Sequence, residues 1–314
     1  MPEFATTPPI PYVNIGDQAA AVRAAINVYS KLETYSQTEV DDLFFASGII
    51  PDPDAAAYIT AVQTALGTTI EAALPSAVNP KRLIYNFFKA EKAAGRWTAH
   101  KRIYLPIYNN SAASSIDLIS RASGSFQNTW THAAGYVQGD GTSGHFRTGF
   151  IPSSGLVNPQ NASIGWLAIN AATTGTRSHF GSQVSAAQSL TSLCVSGTSL
   201  RYDCGDNSTS LVTLPVANQI GIVIATSFAG RIRQEQRRAS GFSTLIDSAF
   251  VPGGTLPNIE MYGAARNLTG AAALQSDARY GSWFANTGMS AANAIDFTLN
   301  LKNLYEGLTG LTLP

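Results

Sequence analysis

Carboxylates, imidazoles and thiols are the groups of this 314-residue chain that could do chemistry, and they are thinly spread. Cleaving a glycosidic bond needs two carboxyl groups about 5 to 9.5 Å apart. On a strand, that places acids at i and i+2 or i+4 of one face. Glu260, Asp203 and Asp277 stand alone in their β-like runs, and the Glu-x-Asp-x-x-Glu pattern is absent. His100, His132, His145 and His179 lack the short spacing of metal ligands, so each reads as a surface or turn residue. Gly139-Asp140-Gly141-Thr142 has neither the alternating oxygen ligands of a calcium loop nor the lysine of a phosphate loop. As Asp-Gly between two strands, it reads as a hairpin turn opening a β-domain. These residues predict no catalytic site, no metal and no cofactor, and the chain is expected not to be an enzyme.

Recognition of a sugar would use aromatic platforms beside Asn, Asp or Arg. The candidates are Trp130, Tyr136, Trp166, Tyr262, Tyr280 and Trp283. Trp166, between Gly165 and Leu167 in an apolar run, reads as core, while Trp130 and Tyr136 lie in more open sequence. No receptor-binding face can be chosen from these positions. Cys194 and Cys204 flank Ser196-Gly197-Thr198-Ser199. A tight turn there sets Cys194 opposite Arg201 and Cys204 opposite Thr191. A disulfide needs Cβ atoms within about 4.5 Å, so two buried thiols are expected, as in a reducing cytoplasm.

The elements that must position these residues change along the chain. Pro2, Pro8, Pro9 and Pro11 hold residues 1–16 extended. Residues 17–50 read as a helical stalk: Val22, Ala25, Tyr29 and Leu32 fall at the spacing of a narrow self-associating seam. Ser36-Gln37-Thr38-Glu39 is a capping box, and Ser30-Lys31-Leu32-Glu33 repeats its pattern six residues earlier. Residues 51–98 read as a small helical collar of two helices. Asp54 caps the first, with Tyr58, Val62 and Leu66 as its stripe and Gly67 as its stop. Asn79 and Pro80 start the second, whose apolar face is Leu83, Ile84, Phe87 and Phe88.

From residue 99 to 314, short β-branched and aromatic runs recur between Gly, Asn, Ser and Pro, which predicts an antiparallel sandwich closed by a C-terminal helix over Ala291–Leu308. Arg231 to Arg237 is an unusually polar strand that reads as solvent-facing or as an intersubunit edge. Twenty basic and twenty acidic residues cancel, so nucleic acid is not an expected partner. Only 13% of residues are charged, against roughly 25% in ordinary soluble domains, which suits an assembly protein with much surface buried between subunits. No apolar run reaches membrane-spanning length, and the N-terminus lacks the features of a secretory signal.

Tyr35-Ser36-Gln37-Thr38-Glu39-Val40-Asp41-Asp42-Leu43, and more weakly Tyr29 to Glu33, resemble an element recurring in bacteriophage tail fibres, where it starts three-stranded helical bundles. Asp54 to Val62, Ile84 to Phe88 and Gly95-Arg96-Trp97 resemble a helical module that precedes laminin-G/concanavalin-like jelly rolls in phage virion proteins. The resemblance implies a mainly β protein, an antiparallel jelly-roll β-sandwich on a short trimeric helical stalk. It further implies a homotrimer assembled in the host cytoplasm, joined to other virion proteins by its N-terminus, and meeting a host surface glycan through the sandwich. The alternative is a capsid or baseplate decoration protein, or a tail-borne depolymerase.

Overall fold

The computed structural model describes the backbone of residues 36–75, 77–172, 175–195, 199–205, 211–213, 219–249 and 251–314. The anchor, the first tyrosine-led box and the proposed seam therefore lie outside the described residues. Residues 1–51 and 52–314 are two compact units.

In the first unit, α1 (Gln37–Ala46) begins at the capping box read from the sequence. The Ser36 hydroxyl accepts from the Glu39 amide at 3.3 Å, and the Glu39 carboxylate accepts from the Ser36 amide at 2.7 Å.

The second unit opens with α2 (Pro53–Leu66), α3 (Ile70–Ala73) and α4 (Pro80–Ala93). The cap of α2 is Asp52, not Asp54: its carboxylate accepts from the amides of Asp54 and Ala55, because Pro53 takes the first helical position. Asp54 is left to pair with Lys92 at 2.7 Å. Gly67, at φ 67°, stops the helix as expected. Asn79 caps α4, with Pro80 following.

The strands are β1 (His100–Tyr104), then, after α5 (Ser111–Ser114), β2 (Ser125–Gln127), β3 (Trp130–Ala133), β4 (Tyr136–Gly139) and β5 (His145–Arg147). After α6 (Pro152–Gly155) come β6 (Ala162–Ala168), β7 (Arg177–Ser185), β8 (Gln188–Val195), β9 (Ser199–Cys204) and β10 (Leu211–Thr213). They are followed by β11 (Gly221–Phe228), β12 (Arg231–Arg238), β13 (Gly241–Ala249), β14 (Tyr262–Gly263), β15 (Arg266–Leu268), β16 (Ala271–Ala273) and β17 (Arg279–Asn286). The chain closes with α7 (Ala291–Thr309). One sheet has the order β13-β12-β11-β6-β17-β4-β3, with β1 also on β17; the other runs β10-β9-β8-β7-β14-β5-β2, with β15 on β7. The molecule is thus mostly β, two sheets packed as a sandwich, with a few helices.

The core lies between the sheets. Trp283, Trp166 and Val223 are cross-strand neighbours in the first sheet; Phe146, Phe180 and Tyr202 line the facing side of the second. Trp166 is core, as expected, and Tyr280 and Trp283 join it at 0% exposure. Gly139-Asp140-Gly141-Thr142 is not a hairpin. β4 belongs to the first sheet and β5 to the second, so the loop carries the chain across the sandwich. The Asp140 carboxylate holds that crossing by accepting from the amides of Thr142, Ser143 and Gly144, which brings its pKa well below the usual range despite the opposing cost of burial. Cys194 stands opposite Leu200 and Cys204 opposite Leu190, one residue off the expected register, because three residues rather than two connect Val195 to Ser199. The buried Cys204 is not in a disulfide, and its thiol donates to the Pro159 carbonyl at 2.8 Å.

The polar strand β12 is not solvent-facing, and it is not an edge. It lies between β11 and β13, and Ile232 to Arg237 are all buried. Gln234 and Gln236 share the inner row with Ala225 and Val223, while Arg233, Glu235 and Arg237 lie on the outer side beneath α7. Arg237 donates there to the Ile295 carbonyl (2.7 Å) and the Thr298 hydroxyl (3.0 Å), and Arg233 to the Met289 carbonyl. Polarity along a strand signals exposure only where nothing covers it, and here a 19-residue helix does.

Two histidines read as surface residues are buried. His179 stacks on Trp166 (4.4 Å, 9°) with its Nδ1 2.7 Å from the Tyr280 hydroxyl, and burial pulls its pKa down to about 3. His100 bridges Asn286 Oδ1 and Glu91 Oε2, each at 2.9 Å.

Candidate functional site

In the second sheet, Phe146, Phe180 and Tyr202 turn inward. The adjacent row therefore faces out: Ser125, Arg147, Tyr262, Gly181, Thr191 and Asp203 are successive cross-strand partners over six strands. The row is polar and crowded at its middle. A Cβ on Gly181 would come within 2.7 Å of the Thr191 backbone, so only glycine fits this crossing.

At one end of the row, a cleft of about 340 Å³ is lined by Arg147, Gly149, Ile151, Ile259, Glu260, Tyr262, Asn267 and Gly270. That volume lies at the small end of ligand pockets and suits a single saccharide ring. Glu260, just ahead of β14, organises it. One carboxylate oxygen accepts from Arg147 Nε at 2.6 Å; the other accepts from the Gly149 amide at 3.1 Å. Gly149 sits at φ 66°, the left-handed conformation that aims this amide at the carboxylate. Pairing with Glu260 raises the pKa of Arg147, whose side chain is still half exposed. Asn267 fixes the opposite wall, donating to the Glu260 carbonyl and accepting from the Gly270 amide, at 2.8 and 2.9 Å. Tyr262 packs its ring 4.8 Å from that of His145, and burial raises the pKa of its phenol.

Chemically, the cleft offers an exposed guanidinium locked in orientation, apolar walls from Ile151 and Ile259, and an aromatic flank. Those groups bind hydroxyls and carboxylates on a ring with apolar faces. Glu260 is the one carboxylate among the residues lining it. No group of three or more metal-ligating side chains occurs among the described residues.

The aromatic candidates are scattered by the fold. Only Tyr262 reaches the cleft. Trp130 is on β3, half-buried, with its ring 5.0 Å from Phe126 and its indole donating to the Gln127 carbonyl. Tyr136 is on β4, with the Arg279 guanidinium 4.8 Å over its ring. Arg147 and Asn267 carried no sequence signal, because they become neighbours of Glu260 only through pairing of strands more than a hundred residues apart and through a local turn.

No family model and no curated protein matches this chain. Solved structures similar to it include Trypanosoma rangeli sialidase in complex with the inhibitor DANA, at 13% identity and TM-score 0.44 over 70% of this chain and 38% of that one. Another is a structure of botulinum neurotoxin type C, described by its cell entry through interaction with two ganglioside molecules, at 7% identity and TM-score 0.45 over 67% and 53%. A third is the K499G mutant of NanB sialidase from Streptococcus pneumoniae, at 12% identity and TM-score 0.37 over 51% and 27%. This chain thus spans well under two thirds of each of those chains, and at these scores the two-sheet architecture rests on the strand pairing described above. The expectation of a protein without enzymatic activity is withdrawn here, because sialidases recur among the similar structures.

Proposed function

We propose that this chain recognises glycan through the Arg147–Glu260–Tyr262 cleft, and that it does so as the receptor-binding end of a phage tail fibre. The observation that supports glycan recognition is the half-exposed Arg147 held by Glu260 at 2.6 Å in a ring-sized cleft, an ion pair that fixes the guanidinium while its exposed part keeps N–H donors for a ligand. In the finer reading, residues 1–16 join other virion proteins and residues 17–50 form a three-stranded stalk, so that three weak sites act with avidity. The capping box at Ser36–Glu39, present as the fibre-like motif requires, supports the stalk.

The test is binding of the full chain to host envelope polysaccharide and to an oligosaccharide panel. Arg147→Gln is expected to weaken binding by roughly tenfold or more, the worth of a charge-assisted hydrogen bond. Release of reducing ends in the same incubations reads out hydrolysis. Equal binding by wild type and variant would sink the cleft assignment. The stalk has its own measurement: light scattering is expected to give three times the chain mass, and a monomer removes the fibre reading.

A further inference from the structure

Beyond the cleft, the outward row of the second sheet continues from Tyr262 over Gly181 to Asp203. Arg266 also pairs with Gly181, so its side chain starts beside Tyr262 on the same face. Gly181 has no side chain to obstruct it, and the guanidinium lies across the strand to donate to the Gln183 side-chain oxygen. Its Nε is buried and has no hydrogen-bond partner. Asp203, the carboxylate nearby, accepts from Arg201 Nε at 2.6 Å. Asp203 and Arg201 act on the Arg266 charge in opposite senses, and one buried N–H is left without an acceptor. Burial also pulls the pKa of Arg266 down, and its side-chain acceptor among the described residues is a neutral amide. Burying a charged donor without an acceptor is costly, and natural structures seldom tolerate it without a reason.

We infer that Arg266, backed by Arg201, forms an anion subsite beside the cleft, and that the recognised glycan is an acidic one whose carboxylate or sulfate docks there. This rests on the glycan reading of the cleft. A saccharide ring seated against Arg147 and Tyr262 would present a substituent toward Gly181, where the Arg266 side chain lies. The anion would pair with the Arg266 guanidinium, whose side-chain acceptor among the described residues is a neutral amide, and a neutral sugar offers no such charge. Arg147 orients the ring, while Arg266 supplies the selectivity.

Calorimetric titration of the full chain with a neutral hexose oligomer, a hexuronate oligomer and a sulfated oligomer tests this. At least one acidic probe is expected to bind about tenfold tighter than the neutral one, with the preference shrinking as salt is raised. The arm that gains identifies carboxylate or sulfate as the source of charge. Arg266→Gln is expected to bring acidic binding down to the neutral level while leaving neutral binding unchanged, and Arg266→Lys to keep part of the preference. Equal affinity for neutral and acidic probes, or an acid preference that survives Arg266→Gln, overturns the subsite and leaves the cleft standing. Where Arg266→Gln fails to fold, Arg266→Lys carries the test: an acid preference that it leaves entirely unchanged overturns the subsite. Binding of no saccharide overturns both readings.

Discussion

Glu91→Ala is expected to destabilise the sandwich unit by roughly 3 to 5 kcal/mol at pH 7, the usual cost of leaving a buried charge without its partner. Glu91 projects from α4, is fully buried, and gathers three partners, from the turn after α4, from β1 and from α7. Arg96 reaches it with Nε and a terminal nitrogen at 2.8 and 2.9 Å, the His100 ring on β1 at 2.9 Å, and the Asn300 amide on α7 at 2.6 Å. Removing the carboxylate strands the buried Arg96, whose remaining carboxylate contact among the described residues is Asp296 at 3.3 Å. The carboxylate thus ties the helices to the first sheet. Burial alone would raise its pKa, but the hydrogen bonds from Arg96, His100 and Asn300 outweigh that cost and bring it down to about 2. A depressed carboxylate pKa contributes stability that is present above the unfolded value near 4.5 and is lost as pH falls toward 2. Urea unfolding at pH 7 and pH 3 checks both parts. A loss below about 1 kcal/mol at pH 7 would mean that the network is dispensable, and the gap between wild type and variant should narrow at pH 3.

Glu235→Gln should act in the opposite sense, stabilising the protein by about 3 kcal/mol at pH 8 and by little at pH 4. Glu235 is buried on β12, and neither of its carboxylate oxygens has a hydrogen-bond partner; the nearest cation, Arg233, is 3.8 Å away. Burial raises its pKa to about 7, with Asp247 adding to the rise and Arg233 opposing it. A carboxylate with a raised pKa ionises first in the unfolded chain. The folded state is therefore penalised progressively from about pH 4.5 to about pH 7, and the penalty is constant above that. Glutamine keeps the neutral shape and removes the penalty. Melting curves between pH 4 and pH 8 should show wild-type stability falling over that window while the variant stays flat. A wild type as stable at pH 8 as at pH 5, relative to the variant, would mean that Glu235 is paired or hydrated in solution.

These two acids mark where sequence reading stops. Glu91 sits on a helix read with its apolar face and capping residues, yet nothing within residues 79–95 points to a buried carboxylate. Its donors lie as much as 209 positions away in the chain. Glu235 lies in the strand whose Arg-Gln-Glu-Gln-Arg run reads as exposed, because α7, which covers it, begins more than fifty residues later. The same reason hides the cleft. Glu260 looks isolated in its own run, and its partner Arg147 is 113 positions upstream.

What the sequence by itself determined was local. The capping box at Ser36, the Asn79-Pro80 start of α4, the glycine stop at Gly67, the C-terminal helix, the core role of Trp166 and most of the long strands were legible. Each depends on backbone preferences and periodicity within a few residues. Short strands such as β2, β3, β15 and β16 were not, since three or four residues carry too little pattern. The tertiary structure decided which strand is an edge, which loop crosses between sheets, which histidines are buried, and which charges meet. Strand order and helix cover are set by contacts distant in sequence, and a side chain's environment is the sum of those contacts. Only the assembled sandwich brings Arg147, Glu260, Tyr262 and Arg266 onto one face.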